Sequence, residues 1–332
     1  MKPVERIRAV LDFQPVDRLP CIEWAGWWNL TVDRWRTEGL PAALTDPGEI
    51  REHLGLDPVR QLWVAPRVPP APSHGAGVVR TEADYEALLP ALYPEPAFDP
   101  AVLQAWAERH ARGELAVWLS LDGFFWYPRK LFGIEQHLYA FYDQPEFMHR
   151  MNRDLVAFNR RVLDEFCAVL TPEFMTFGED MSYNHGPMCS RETFEAFLLP
   201  HYQEMTPLLR ERGIRVFVDS DGMVEPLIPW FREAGVEGIL PLERMAGVDV
   251  ARIRRDHPDW RMIGGFDKTV MKAGEAAMRA EFERLLPPMR TGGFIPSVDH
   301  QTPPDVSLDL YRVYVRLLHE YAERAAACTC SG

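Results

Sequence analysis

Two aspartates, Asp219 and Asp221, end the apolar run Arg215-Val216-Phe217-Val218 and are followed by Gly222, which lets the chain turn. A buried strand does not tolerate two nearby unpaired charges, so the pair marks the point where the strand emerges. Residues i and i+2 of a strand share a face, so the two carboxylates project together and can exchange a proton or bind a cation. Apolar runs ending in acids recur at Cys21-Ile22-Glu23, Val117 to Asp122, Phe174 to Glu179 and Asp180, Met262 to Asp267, and Phe294 to Asp299 and His300. His300 adds a nitrogen to the oxygen donors, so Asp219, Asp221 and His300 form a candidate ligand set for a divalent metal whose identity stays open. If these strand ends share one mouth, protons, a cation, or basic groups such as Lys268 and Arg67 must offset the accumulated negative charge.

Each of these residues also has a plainer role. A strand-end carboxylate commonly caps the helix that follows, and Asp219, Asp221 and Asp267 all precede helical segments. Trp24, Trp27, Trp28, Phe124, Phe125, Trp126 and Tyr127 cluster after two of the apolar runs, as walls for a ligand or as core. The polar loop Tyr183-Asn184-His185-Gly186 lines a pocket or simply turns, and His201 and His319 sit within helices as surface or packing residues.

The elements that must position these groups follow from the spacing of apolar residues. Eight short apolar segments bounded by turn residues read as strands, near 20–25, 61–66, 116–122, 174–180, 214–220, 237–242, 261–266 and 293–298. Helical periodicity fills Ser190 to Arg212, Val224 to Ala234, Lys268 to Leu286 and Pro304 to Ala327, with Gly235 as a C-cap. Strand alternating with helix over short connections demands parallel pairing through right-handed crossovers. Eight strands without a long polar linker predict an α/β fold of one domain over 1–332, a (β/α)₈ TIM barrel. An irregular N-terminal half would send loops, including the proline-rich 66–72 and 94–100, over the C-terminal mouth. A doubly wound sheet is disfavoured because no Gly-x-Gly-x-x-Gly follows the first strand.

Composition narrows the partners. Of 332 residues, 47% are apolar and 26% charged, as in a globular enzyme. A net charge of −13, from 36 basic and 49 acidic residues, argues against nucleic acid. The 5 cysteines are spread without disulfide or zinc-finger spacing, and Cys328 and Cys330 fall in 325–332, read as a disordered tail. The N-terminal segment has no signal-peptide core and no apolar run reaches membrane-spanning length, so a cytoplasmic protein without membrane contact is expected. Assembly into a homo-oligomer is left open.

Several segments carry a family likeness. The stretch from Arg6 to Pro20 with its Asp17-Arg18-Leu19-Pro20 ending, Gly178-Glu179-Asp180-Met181 through Gly186-Pro187, Val218-Asp219-Ser220-Asp221-Gly222, Gly264-Gly265-Phe266-Asp267-Lys268 and Ser297-Val298-Asp299-His300 occur in order along nearly the whole chain. In these motifs the sequence resembles the uroporphyrinogen decarboxylase superfamily. The resemblance implies a (β/α)₈ barrel and a choice among decarboxylases, corrinoid-dependent methyltransferases and, more distantly, cobalamin-independent methionine synthase. True decarboxylases carry an arginine-rich segment after the first strand and an aspartate after the second. Here those places read Glu23-Trp24-Ala25-Gly26-Trp27-Trp28 and Trp63-Val64-Ala65-Pro66-Arg67. An acidic, aromatic pocket repels a polycarboxylate tetrapyrrole. The family's methyltransferases hold zinc with a His-x-Cys-Gly motif after the fifth strand and a cysteine near the last; this chain has Asp219-Ser220-Asp221-Gly222 and Asp299-His300. Without thiolates, zinc activation of a thiol is disfavoured, and a harder cation or no metal is expected.

The expectation is therefore a methyltransferase-like enzyme acting on a small neutral or cationic molecule. Asp219, His300, Glu179 and Asp221 form its catalytic centre, with Asp219 and His300 binding metal or moving a proton. Glu23, Trp24, Trp27, Asp122, Trp126, Asp180, Tyr183, Asp267 and Lys268 contact the substrate. Methyl transfer implies a corrinoid supplied by a partner protein, because no B12-binding segment appears in the chain. A decarboxylase of another acid and a non-catalytic ligand-binding barrel are the rival readings.

Overall fold

The computed structural model describes residues 1–326 of the chain. Strands β1 (Val59–Val64), β2 (Ala116–Asp122) and β3 (Phe174–Gly178) open a parallel sheet. A separate antiparallel hairpin, β4 (Ser182–Tyr183) with β5 (Gly186–Pro187), interrupts them. The sheet then continues through β6 (Arg215–Asp219), β7 (Gly238–Leu240), β8 (Arg261–Phe266) and β9 (Phe294–Val298). The order β1-β2-β3-β6-β7-β8-β9 is strictly sequential, so right-handed crossovers put the helices on one face while the curl of the sheet turns the other face inward, and both are covered. This explains why β2 and β3 are buried along their whole length and read as near-continuous apolar runs.

Among the described residues seven strands form the sheet, not the eight expected. The missing one is the predicted first strand, 20–25. Pro20 has no N–H to give a ladder. The N–H of Cys21 goes to Asp57 Oδ2 at 2.9 Å, and that of Trp24 to Ser297 Oγ at 3.3 Å. The segment nevertheless touches both edges of the sheet. The Asp57 N–H, just before β1, donates to the Cys21 carbonyl at 2.8 Å, while the Trp24 indole donates to Val298 O of β9 at 2.6 Å. One short segment reaches both edge strands only because the sheet is curled.

Three predicted helices are divided, and Val224 to Ala234 is the 3₁₀ turn Glu225–Leu227 running into the helix Ile228–Glu233. Ser190 does cap, accepting from the Thr193 N–H at 3.2 Å, but Arg191–Phe197 and Leu199–Glu211 meet at a break beside Pro200, which lacks an N–H. Lys268 to Leu286 splits at Gly274 into the 3₁₀ turn Lys268–Ala273 and the helix Glu275–Met289. The last helix spans Leu308–Ala326, so residues 325 and 326, expected in the tail, are helical; the rest of that tail, with Cys328 and Cys330, lies outside the described residues. Among the described residues no helix is long and apolar enough to cross a membrane.

Register decides where the acids go. Asp122 pairs with Gly178, Gly178 with Asp219, and Asp219 with Leu240, while Phe266 pairs with Val298. The carboxyl ends of the strands are thus level, and the acids that follow them gather at one end of the sheet.

Candidate active site

At that end lies a cavity of about 350 Å³, within the range of roughly 300–1,000 Å³ usual for small-molecule sites. Its polar lining includes Asp180, Asp219, Asp221 and His300, and its apolar lining includes Trp24, Trp63 and Trp126. Three different chain segments deliver the acids and the histidine. Asp219 is the last residue of β6, Asp180 follows β3, and His300 follows β9.

The carboxylates act on one another. Desolvation by burial, then the neighbouring Asp221 and Asp180, push the Asp219 carboxyl well above its ordinary range. Asp180 is raised by burial and by Asp221. Its backbone is left-handed, with φ of 44°, a conformation that aspartate tolerates better than most residues. The Asp180 carbonyl accepts from Arg129 Nη1 at 3.0 Å, which steadies this turn. His300 Nε2 lies 3.6 Å from Asp221 Oδ2, and the interaction with Asp221 lifts the imidazole above its ordinary value despite desolvation. The Asp219 carboxylate receives no hydrogen bond from any described residue. Asp219 and Asp180 therefore hold a proton more readily than ordinary aspartates, and a cation between them would favour their ionised forms.

Gly222 allows this corner to fold as the sequence suggests. It has φ of 81°, and a Cβ there would lie 2.7 Å from the Tyr183 backbone. The Met223 N–H donates to the Tyr183 carbonyl at 2.9 Å, tying the β6 end to the β4 hairpin.

Other predicted site residues are occupied elsewhere. Glu179 lines the cavity, but Oε1 accepts from the Phe124 N–H at 2.8 Å and from the Tyr202 hydroxyl. Its Oε2 accepts from the Phe125 and Trp126 N–H groups at 2.7 and 3.0 Å. Burial pushes its carboxyl up to about 7 against these bonds. Glu179 therefore holds the loop that presents Trp126 and is a positioning residue. Asp122 accepts from Trp63 Nε1 at 3.1 Å and from Lys130 Nζ at 2.6 Å, so it orients Trp63. Buried Glu23 accepts from Ser297 Oγ at 2.5 Å and Tyr311 Oη at 3.0 Å, beneath Trp24. Asp267 is a cap, accepting from the Thr269 N–H at 2.8 Å, and Lys268 pairs with buried Asp299 at 3.3 Å. Trp27 packs against Trp35 and Tyr311 in the core, and the exposed Tyr183 ring stacks edge-on to His185. None of Glu23, Asp122, Asp267, Lys268, Trp27 or Tyr183 lines the cavity.

Sequence reasoning missed Trp63, Gln61 and Gln301. The signal for the first two was present: Gln61 and Trp63 alternate on β1 as Ser120 and Asp122 do on β2, and register pairs Trp63 with Ser120. Gln61 Nε2 donates to Ser120 Oγ at 2.7 Å on this shared face. Gly178 leaves space for the Trp63 ring, since a Cβ there would come within 2.7 Å of Cζ2. Among the described residues no group of three or more His, Cys, Asp or Glu side chains is placed to hold a metal ion. A thiolate-poor donor set also does not fit the zinc of the family's thiol methyltransferases.

Comparisons with known proteins agree with the fold. The methyltransferase from Methanosarcina mazei superposes with a TM-score of 0.70 at 15% identity, over 97% of this chain and 99% of that one. A B12-independent methionine synthase from Shewanella sp. W3-18-1 shares 10% identity over 69% of this chain and 67% of its own, with a TM-score of 0.35 that carries no weight. No curated protein matches the sequence. The family model for uroporphyrinogen decarboxylase (URO-D) matches residues 129–321, which is more than half of the chain and spans β3 through β9. On that match the chain belongs to the uroporphyrinogen decarboxylase family.

Proposed function

We propose that the chain is a methyltransferase-like enzyme of this family, acting on a small neutral or cationic substrate in the cavity at the strand ends. The observation that carries the reading is the cavity lining: acidic and aromatic, with no arginine or lysine among the described residues. A decarboxylase of polycarboxylate substrates needs cations there, and Coulomb repulsion would instead expel such a ligand. The acids also converge, unlike the scattered solvated caps expected of a merely structural barrel end. The fold reading that accompanies this is a (β/α)₈ barrel whose eighth position is filled by residues 20–25.

Within the site, Asp219 and His300 handle the proton. Asp219, raised by burial and by its neighbours, holds a proton when no cation is present and can give it to the heteroatom of a neutral substrate as the bond to that atom breaks. A quaternary ammonium leaves as an amine and needs none. His300, beside Asp221 and partly exposed, exchanges that proton with solvent. Trp24 and Trp126 exclude water from the ligand. A cavity of about 350 Å³ is far too small for a corrinoid, so that group would be presented at the mouth by a partner protein. When bound, a corrinoid supplies a methyl acceptor or donor. No step is assigned to zinc, because the donors do not fit it.

The test is spectroscopic. The purified protein is mixed with reduced free cobalamin and a panel of small O-methyl and N-methyl compounds, and formation of methylcobalamin is followed in the visible range. Methylcobalamin formation that drops about 10²-fold in His300→Ala, the scale of losing one acid–base group, supports the reading. Carbon dioxide release from small carboxylic acids, without methyl transfer from any compound, would overturn it.

A further inference from the structure

We propose that the cavity binds a small organic cation, an alkylammonium group, against Asp219 and Asp221 and between the indole rings of Trp24, Trp63 and Trp126. This rests on the reading of the cavity as a small-substrate site and narrows the substrate to one charge class.

Charge supplies the first argument. Cations on the neighbouring elements are already committed. Lys130 pairs with Asp122 at 2.6 Å, Lys268 with Asp299 at 3.3 Å, and Arg129 donates to the Asp180 carbonyl at 3.0 Å. His300 is the one basic side chain in the lining, and it faces Asp221. The half-buried Asp219 carboxylate faces the cavity and accepts no hydrogen bond from any described residue, so its oxygens are open to a ligand there. A ligand that brings positive charge completes this arrangement.

The walls supply a second, independent argument. The indole N–H groups of Trp24 and Trp63 are used within the protein, by Val298 O at 2.6 Å and Asp122 Oδ1 at 3.1 Å. Ring surface, and no donor, is therefore what these side chains offer a ligand. Trp63 stays 46% exposed although it sits on a sheet strand, so its ring is held open at the cavity and not packed away. Trp126 already attracts a cation, with the Arg129 guanidinium 5.1 Å from its ring centroid. Indole faces stabilise weakly hydrated ammonium groups most strongly among side chains. A hydrated metal ion would instead require several oxygen or nitrogen donors, and no such cluster is assembled among the described residues.

Choline and its uncharged isostere 3,3-dimethyl-1-butanol separate charge from shape. Binding of each to chelator-treated, full-length protein is measured by calorimetry and by quenching of tryptophan fluorescence. The expected result is at least about tenfold tighter binding of choline, weakened about tenfold in Asp219→Asn and again in Trp63→Leu. Circular dichroism confirms that each variant is folded. Equal affinity for the two probes, or choline binding unchanged in both folded variants, overturns the proposal. So does abolition of choline binding by equimolar magnesium or zinc, which would identify a metal site. The two readings fail separately: methylcobalamin formed from neutral methyl compounds alone sinks the cation and spares methyl transfer. Choline bound but never demethylated, with no methyl transfer from any compound, does the reverse.

Discussion

Replacing Glu179 distinguishes a residue that reacts from one that holds the site together. Its two oxygens accept three backbone N–H groups, from Phe124, Phe125 and Trp126, and the Tyr202 hydroxyl. An orphaned buried donor costs about 1–3 kcal/mol, so Glu179→Ala, which orphans three N–H groups, is expected to lose about 3–9 kcal/mol. That approaches the whole stability of many domains, roughly 5–15 kcal/mol, so the alanine variant tests little by itself. Glu179→Gln is the informative change. Its carboxamide oxygen can still serve Phe125 and Trp126, and the Tyr202 hydroxyl can turn to accept from the new NH₂. Only the Phe124 N–H then meets a donor, at a cost of about 1–3 kcal/mol. In a urea titration this lowers the midpoint by about 1 M, given a slope of ~1–3 kcal/mol per M. Because Glu179 steadies the Trp126 loop, KM should rise while kcat changes little. A glutamine variant with the wild-type midpoint but kcat reduced ~100-fold would refute this reasoning and make Glu179 a reacting group.

Three further substitutions probe other parts of the frame. Burial raises Glu23 from an ordinary 4.5 to about 7, so the folded state keeps a proton that the unfolded chain releases. Stability from this group is complete below about pH 4.5 and lost as pH rises through about 7, a change on the order of 3 kcal/mol that Glu23→Gln should remove from a midpoint-versus-pH series. Gly178→Ala would place a Cβ 2.7 Å from Trp63 Cζ2 and 2.9 Å from Cη2, so it should cost about 1–3 kcal/mol, shift tryptophan emission and weaken ligand binding together. Asp267→Ala removes a cap and should lose about 1 kcal/mol in thermal melts while leaving ligand affinity unchanged.

The parallel strand–helix alternation was legible because strands buried on both faces read as apolar runs, and β2, β3, β8 and β9 stand within two residues of their predicted bounds. Asp180, Asp219, Asp221, His300, Trp24 and Trp126 were legible for a related reason: in a level parallel sheet, whatever follows the strand ends shares one mouth. The use of each acid was not legible. Glu179 and Asp180 are adjacent, yet one is consumed by three N–H groups of a distant loop while the other, turned by a left-handed backbone, faces the cavity. Asp267 has the same strand-end position as Asp219 and spends it on a cap. Such assignments depend on which loop donors come within 3 Å, which spacing along the chain does not encode. Trp63 was not legible because an aromatic ring on a strand reads as core, and only its alternation with Gln61 sets it on the cavity face.

The ladderless segment 20–25 gives the molecule a seam. Everywhere else adjacent strands are joined by repeated backbone hydrogen bonds; here the join is made largely by individual side chains, Asp57 on one side and Glu23, Trp24 and Ser297 on the other. Resistance to opening is therefore unevenly distributed around the curled sheet, and amide exchange at 20–25 should outpace that in β2, β3 and β6. Trp24 stands on that seam and also forms a cavity wall. A small breathing of the seam would enlarge the cavity sideways, giving a bulky substrate a route in without disturbing the acids at the ends of β3 and β6.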